Sequence, residues 1–213
     1  MPPSLLTKPW IWWLLWLLLG VYAFVLAPAD DPVATWTLVQ RLMRSDLDGI
    51  NPLVVAEFYL MGILPLAYAC FLLPDGQGKP LPAWPFALGM MGVGMFALLP
   101  YMGLRQPSRS GSRVQSGGAA LWQSPWLGRL LTGISVGVLA WGVGYGDWQD
   151  FGQLWLSNRF IHVMTLDFAL LCLLLPLWVA EDRRDNGIEF QGRGGWWSWI
   201  PLLGPLVYLS IRR

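Results

Sequence analysis

The chain has 213 residues, of which 13% are charged and 55% hydrophobic, with 15 Trp among them. Soluble domains carry about 25% charged residues, so this chain lacks the charge to cover a water-facing surface and reads as an integral membrane protein. A net charge of +1 with no basic run excludes nucleic-acid binding and intrinsic disorder, and two cysteines buried in apolar text, Cys70 and Cys172, exclude a disulfide scaffold.

A helix crossing a bilayer core needs roughly 20 apolar residues, and six stretches are expected to do so in an all-α polytopic bundle. Trp10 to Ala27 is uncharged. It is longer than the apolar run of a signal peptide, and Pro28 spoils the small-residue site that follows, so it reads as a retained span. Pro52 to Leu73 carries one acid, Glu57, and Leu81 to Leu104 carries no charge. Leu130 to Gly146 has Arg129 at its edge, where the side chain can snorkel to the surface. Phe160 to Ala180 holds His162 and Asp167. The last and shortest stretch, Gly195 to Ile211, leans on Trp196, Trp197 and Trp199. Trp10, Trp84, Trp126, Trp178 and Trp196 fall at span ends, as an interfacial aromatic belt would place them.

Two short segments between spans resemble each other. Trp36 to Ser45 and Trp148 to Ser157 both place apolar residues at i, i+3, i+6 and i+7, the stripe of an amphipathic interfacial helix. Their Trp, Leu and Ser recur at a constant offset of 112. The spans that follow end in Asp75 and Asp182, and each half closes on similar text, Pro100-Tyr101-Met-Gly-Leu-Arg105 and Pro205-Leu-Val-Tyr208-Leu-Ser-Ile-Arg212. The expected organisation is a first three-span half over 1–105, a polar linker rich in Ser, Gly and Arg over 106–123, and a second three-span half over 124–213. Three spans per half force opposite orientations, an inverted 3+3 repeat. Sorting Lys and Arg by loop then gives nine on one face and five on the other. The positive-inside rule puts the nine in the cytoplasm and both termini opposite.

The fourth span carries Gly133-Ile-Ser-Val-Gly137 and Gly142-Val-Gly-Tyr-Gly146. Glycines four apart let a neighbouring backbone approach, so close packing within the chain is expected there, with dimerisation through Gly133 and Gly137 the alternative. Pro65, Pro176, Pro201 and Pro205 lie inside spans and are expected to kink them.

Three ionisable side chains enter the apolar layer: Glu57, His162 and Asp167. Insertion of an acid at mid-membrane costs roughly 2.5–3.5 kcal/mol, so such a residue faces the bundle interior and finds a partner. Asp167 is the deepest, whereas Glu57 and His162 lie nearer span ends. His162 and Asp167 are five positions apart, about 140° around a helix, and are not expected to bond directly. Equivalent spans would bring Glu57 and Asp167 together near the bundle axis, a proton donor beside a base. The plainer expectation is a structural hydrogen bond from Asp167 to a neighbouring span and a Glu57 that reaches the headgroups.

Enzyme signatures are missing from the text. One histidine and no C-x-x-C give no metal or haem site, and no G-x-S-x-G, Walker loop or G-x-G-x-x-G occurs in the required setting.

The stretches Asn51-Pro-Leu-Val-Val-Ala-Glu57-Phe-Tyr-Leu-Met-Gly, Pro82-Ala-Trp84-Pro85-Phe, Arg159-Phe-Ile-His162-Val-Met-Thr-Leu-Asp167-Phe and Leu203-Gly204-Pro205-Leu-Val-Tyr208 resemble a little-characterised family of integral membrane proteins of cyanobacteria and plastids. The resemblance runs from about Pro28 onward. It implies a thylakoid or plasma membrane of a photosynthetic cell and brings no activity with it. A looser likeness to membrane-bound terpene and carotenoid cyclases extends to size, helices and two intramembrane acids, without any of their motifs.

Three functions follow as expectations. The first is a non-enzymatic accessory or assembly protein of a photosynthetic membrane, in contact with its lipids and protein complexes and holding a pigment, carotenoid or lipid. The second is an isoprenoid or carotenoid cyclase or isomerase with Asp167 as acid and Glu57 or His162 as base. The third is a small secondary transporter.

Overall fold

A computed structural model describes residues 8–29, 31–75, 80–105, 121–187 and 193–212. All regular structure among the described residues is helical. Most of the expected linker lies outside them, over 106–120.

Four helices are long and apolar enough to cross a membrane. The first is α1, Pro9–Val21, prolonged by a π-helical turn over Tyr22–Leu26. The others are α3, Pro52–Asp75, α6, Pro125–Tyr145, and α8, Arg159–Asp185. Proline at the first turn of α1, α3 and α6 costs no hydrogen bond, because those N–H groups have no partner within the helix. Pro65 and Pro176 sit inside α3 and α8, each of which continues through its proline.

The two amphipathic segments form helices, α2 over Pro32–Met43 and α7 over Trp148–Ser157. Each is started by an aspartate whose side chain accepts two backbone N–H groups of the first turn: Asp31 from Val33 and Ala34, Asp147 from Gln149 and Asp150. Asn51 fastens the start of α3 to α7 by donating to the Asp147 carbonyl and the Asp150 carboxylate, 2.7 and 2.8 Å.

The long helices run in two directions. Glu57 of α3 meets Thr165 of α8, and Tyr68 meets Leu171, so α3 and α8 are parallel. The last turns of α1 and α6 lie beside the first turns of α8 and α3, through Tyr22–His162 and Gly142–Ala56. Thus α1 and α6 run the same way, opposite to α3 and α8.

The third apolar stretch does not pass through the bundle. It forms α4, Trp84–Val93, and α5, Met95–Leu104, joined at Gly94. A Cβ placed on Gly89 would stand 3.1 Å from the Ala97 Cβ, and the Phe86 and Tyr101 rings are 5.2 Å apart. Residues 15 positions apart would be about 22 Å apart along one helix, so the chain has turned back on itself. Gly94 permits this with φ +50 and ψ −122, a conformation closed to residues with a side chain. The final stretch is built alike. A 3-10 helix over Arg193–Trp199 turns at Pro201 and Leu202 into α9, Leu203–Ile211, and Gly204 packs on the Trp197 carbonyl. Leu202 holds φ +62 in that turn.

Both hairpins begin and end at one end of the bundle. Arg105, just after α5, pairs with Glu181 of α8, and Arg212, just after α9, reaches Asp182 of α8 and the Cys70 carbonyl of α3. Where six spans were expected, the described residues hold four helices of spanning length and two shorter helical hairpins. The reason is steric and local: Gly94 and the Pro201–Leu202 turn reverse stretches whose composition alone reads as spanning.

Close packing in α6 occurs at one of the two expected glycine pairs, Gly142 and Gly146, and not at the other. The backbone approaches are at Gly128 against Leu209, Gly142 against Ala56 and Gly146 against Leu53. Gly133 and Gly137 have nothing within 4 Å of where a Cβ would stand.

Candidate functional site

The polar groups gather on the first three turns of α8. Asn158 starts that helix by accepting the Ile161 N–H at 3.0 Å, and the side chains that follow fan out to three different elements. His162 points to α1 and α7, Thr165 to α3, and Asp167 to the tip of the first hairpin.

His162 is 4% exposed and bonded through both ring nitrogens. Nδ1 lies 2.7 Å from the Trp155 carbonyl, which can only accept, so Nδ1 carries the proton. Nε2 then accepts the Tyr22 hydroxyl at 2.7 Å. The Trp155 and Tyr22 rings stack on the imidazole, with centroids 4.2 and 5.7 Å away. The π-helical turn sets the phase of α1 at Tyr22, and single π turns are frequent at functional sites. Tyr22 had no sequence signal beyond its aromatic character, and Trp155 stood only as a member of the amphipathic stripe.

Asp167 is 5% exposed and its Oδ1 accepts the Met95 N–H at 2.8 Å. This carboxylate satisfies a backbone donor at the start of α5, which a helix cannot satisfy internally. Its other oxygen lies where a Gly94 Cβ would stand. The expected structural bond from Asp167 to a neighbouring element is therefore present, and its partner is backbone.

Glu57 does not reach a surface, in contrast to the plainer expectation. It is 7% exposed, and Oε2 lies 3.1 Å from the Thr165 hydroxyl. Thr165 is also placed to donate to the Ile161 carbonyl at 2.8 Å. Glu57 Oε1 is buried with no partner among the described residues. Glu57 and Asp167 sit on the same stretch of the bundle but bond to different groups, so the expected pairing of the two acids is not formed. His162 and Asp167 do not bond to each other either, as their spacing predicts.

A second polar layer, absent from the sequence reading, closes the opposite end. Arg105 donates to Glu181 at 2.6 Å and lies over the Trp178 ring at 4.3 Å. Arg212 lies over the Phe71 ring at 5.4 Å, 3.9 Å from the Asp182 carboxylate, which accepts the Tyr208 hydroxyl at 2.6 Å. The closing Tyr-x-x-x-Arg text of each half was the available signal. Only the fold shows that each arginine crosses to the long helix of the other half.

No group of three or more His, Cys, Asp or Glu among the described residues could hold a metal ion. Comparison with known proteins finds no matching family model, no matching curated protein and no matching solved structure.

Proposed function

We propose that this chain is a multi-pass integral membrane protein that works by holding a lipid-soluble ligand, as an accessory protein rather than as an enzyme. The observation that supports binding over catalysis is the state of the three sequence candidates. Asp167 is engaged in capping the hairpin and His162 is engaged at both nitrogens, so no acid and base stand free beside each other. Among these three, Glu57 alone has an oxygen that is fully buried and without a hydrogen-bond partner. The photosynthetic-membrane setting, cyanobacterial thylakoid or plasma membrane, rests on the resemblance described above. Its partners in this reading are membrane lipids, photosynthetic complexes and a second copy through the open Gly133 and Gly137 face.

In this reading α1, α3, α6 and α8 cross the bilayer and both hairpins are re-entrant. Non-helical backbone at membrane depth is tolerated when protein covers it, and Asp167 supplies that cover at Gly94. Charge favours the arrangement. Lys8, Arg105, Arg129, Arg183, Arg184, Arg193 and Arg212 belong to one end, and Arg41, Arg44 and Arg159 to the other. Seven of the ten cations among the described residues thus lie at the first end. The positive-inside rule then places the hairpin ends and both termini in the cytoplasm, reversing the sidedness drawn from six spans.

The halves read as a parallel duplication. Arg105 and Arg212 are 107 positions apart, and so are Phe71 and Trp178, the rings they cover. Each arginine thus covers the equivalent ring of the opposite half.

The test is purification from the native membrane in mild detergent, followed by an absorption spectrum and mass spectrometry of what co-purifies. A stoichiometric pigment, carotenoid or lipid, alone or with photosynthetic subunits, is the expected result. Turnover of an isoprenoid by the purified protein, abolished by Asp167→Asn, would replace this reading with the enzyme.

A further inference from the structure

Resting on the ligand-holding reading, we infer that Glu57 and Thr165 form the polar end of a site for a lipid-soluble alcohol, whose hydroxyl donates to Glu57 Oε1. Three observations on α3 and α8 lead there.

The first is the orphan oxygen itself. Glu57 is 7% exposed, Oε1 has no partner, and no ion pair among the described residues reaches this carboxyl. A buried acceptor left empty is uncommon and expensive, and an absent ligand group is one of its few explanations.

The second is a shortage of protons. Thr165 has one hydroxyl hydrogen and two acceptors within reach, the Ile161 carbonyl at 2.8 Å and Glu57 at 3.1 Å. The nearer acceptor is the helix's own carbonyl, which leaves the carboxyl short of a donor. One more O–H at Oε1 corrects the deficit. A neutral hydroxyl suits this better than an ammonium group, because a buried cation needs several acceptors and only one oxygen is open.

The third is location. Glu57 lies roughly 8 Å along α3 from its first residue, inside a helix apolar enough to cross a membrane. The exposed side chains of the neighbouring long helices are apolar as well, among them Phe24 at 75% and Leu173 at 59%. A molecule arriving through such a surface is lipid-soluble. Isoprenoid alcohols and bilayer glycerides both offer a hydroxyl on a long apolar body.

The test uses the full purified chain in detergent micelles. It is offered geranylgeraniol and 1,2-dioleoylglycerol, each beside its own methyl ether, and bound mass is read by native mass spectrometry. The expected result is that at least one alcohol binds about tenfold or more tightly than its ether, and which one does so identifies the source. Glu57→Leu abolishes the preference, whereas Gly133→Leu, at a position that meets nothing within 4 Å, retains it. The empty Glu57→Leu protein also melts at a higher temperature than wild type, since it no longer buries an unpaired carboxyl. Equal binding of alcohols and ethers overturns the site, as does a preference that survives Glu57→Leu. A lower melting temperature for Glu57→Leu overturns it too, because it assigns Glu57 a structural role. A ligand that co-purifies from the native membrane and survives Glu57→Leu removes this site and leaves the accessory function standing. Alcohol preference in a protein that carries nothing from its own membrane does the reverse.

Discussion

Asp167 is a case in which a residue type suggested chemistry and its surroundings assign it to architecture. Its carboxylate accepts a backbone N–H at the start of α5 and lies against Gly94. Asp167→Leu leaves that N–H buried without an acceptor, an expected loss of about 1–3 kcal/mol. Asp167→Asn keeps an oxygen in place and loses less; thermal melts in detergent distinguish the two. Arg105 and Glu181 pose a harder constraint, with side chains 1% and 5% exposed. Removing one partner of a buried pair costs about 3–5 kcal/mol, whereas an apolar replacement of both is often close to neutral. Arg105→Met is therefore expected to lower the melting temperature strongly, and Arg105→Met with Glu181→Leu to recover most of the loss.

At the scale of elements, the contrast within α6 is informative. Gly142 and Gly133 look alike in sequence, each opening a G-x-x-x-G. A side chain at Gly142 runs into Ala56 of α3, while one at Gly133 meets nothing within 4 Å. Gly142→Leu is expected to cost roughly 1–3 kcal/mol by overpacking, and Gly133→Leu to leave the melting temperature of the isolated chain within the range of surface changes, about 0.5 kcal/mol. Helix starts offer a second check. Asp147 accepts two N–H groups of α7, so Asp147→Ala should weaken that helix by about 1 kcal/mol, visible as faster amide exchange over Trp148–Ser157.

For the whole molecule, the decisive property is which ends share a side. With four through-running helices, α2 and α7 lie at the same end of the bundle; with six spans they would lie on opposite faces of the membrane. Ala34→Cys in α2 and Gln149→Cys in α7 are both exposed positions. The two are expected to react with a membrane-impermeant thiol reagent from the same side of sealed vesicles, while tags on the two termini are reached only from the other side. Cys70 and Cys172 are buried and should stay silent. Labelling of 34 and 149 from opposite sides would restore the six-span arrangement.

Composition and periodicity were enough for the helical class, for the two amphipathic helices and for four long apolar ones, because burial of a continuous apolar run and a 3.6-residue stripe are properties of neighbouring residues. The three candidate residues were legible for the same reason: Glu57, His162 and Asp167 stand out against apolar text. Their partners were not legible. Tyr22 is 140 residues from His162, Met95 is 72 from Asp167, and Thr165 is 108 from Glu57. No local pattern encodes such pairings. The direction of two apolar stretches was equally hidden, since a helical hairpin and a long helix have the same hydropathy and differ only at a turn such as Gly94. By itself the sequence determined what had to be buried. Only the tertiary structure decided what it is buried against, because that depends on which distant backbones can come close enough to touch.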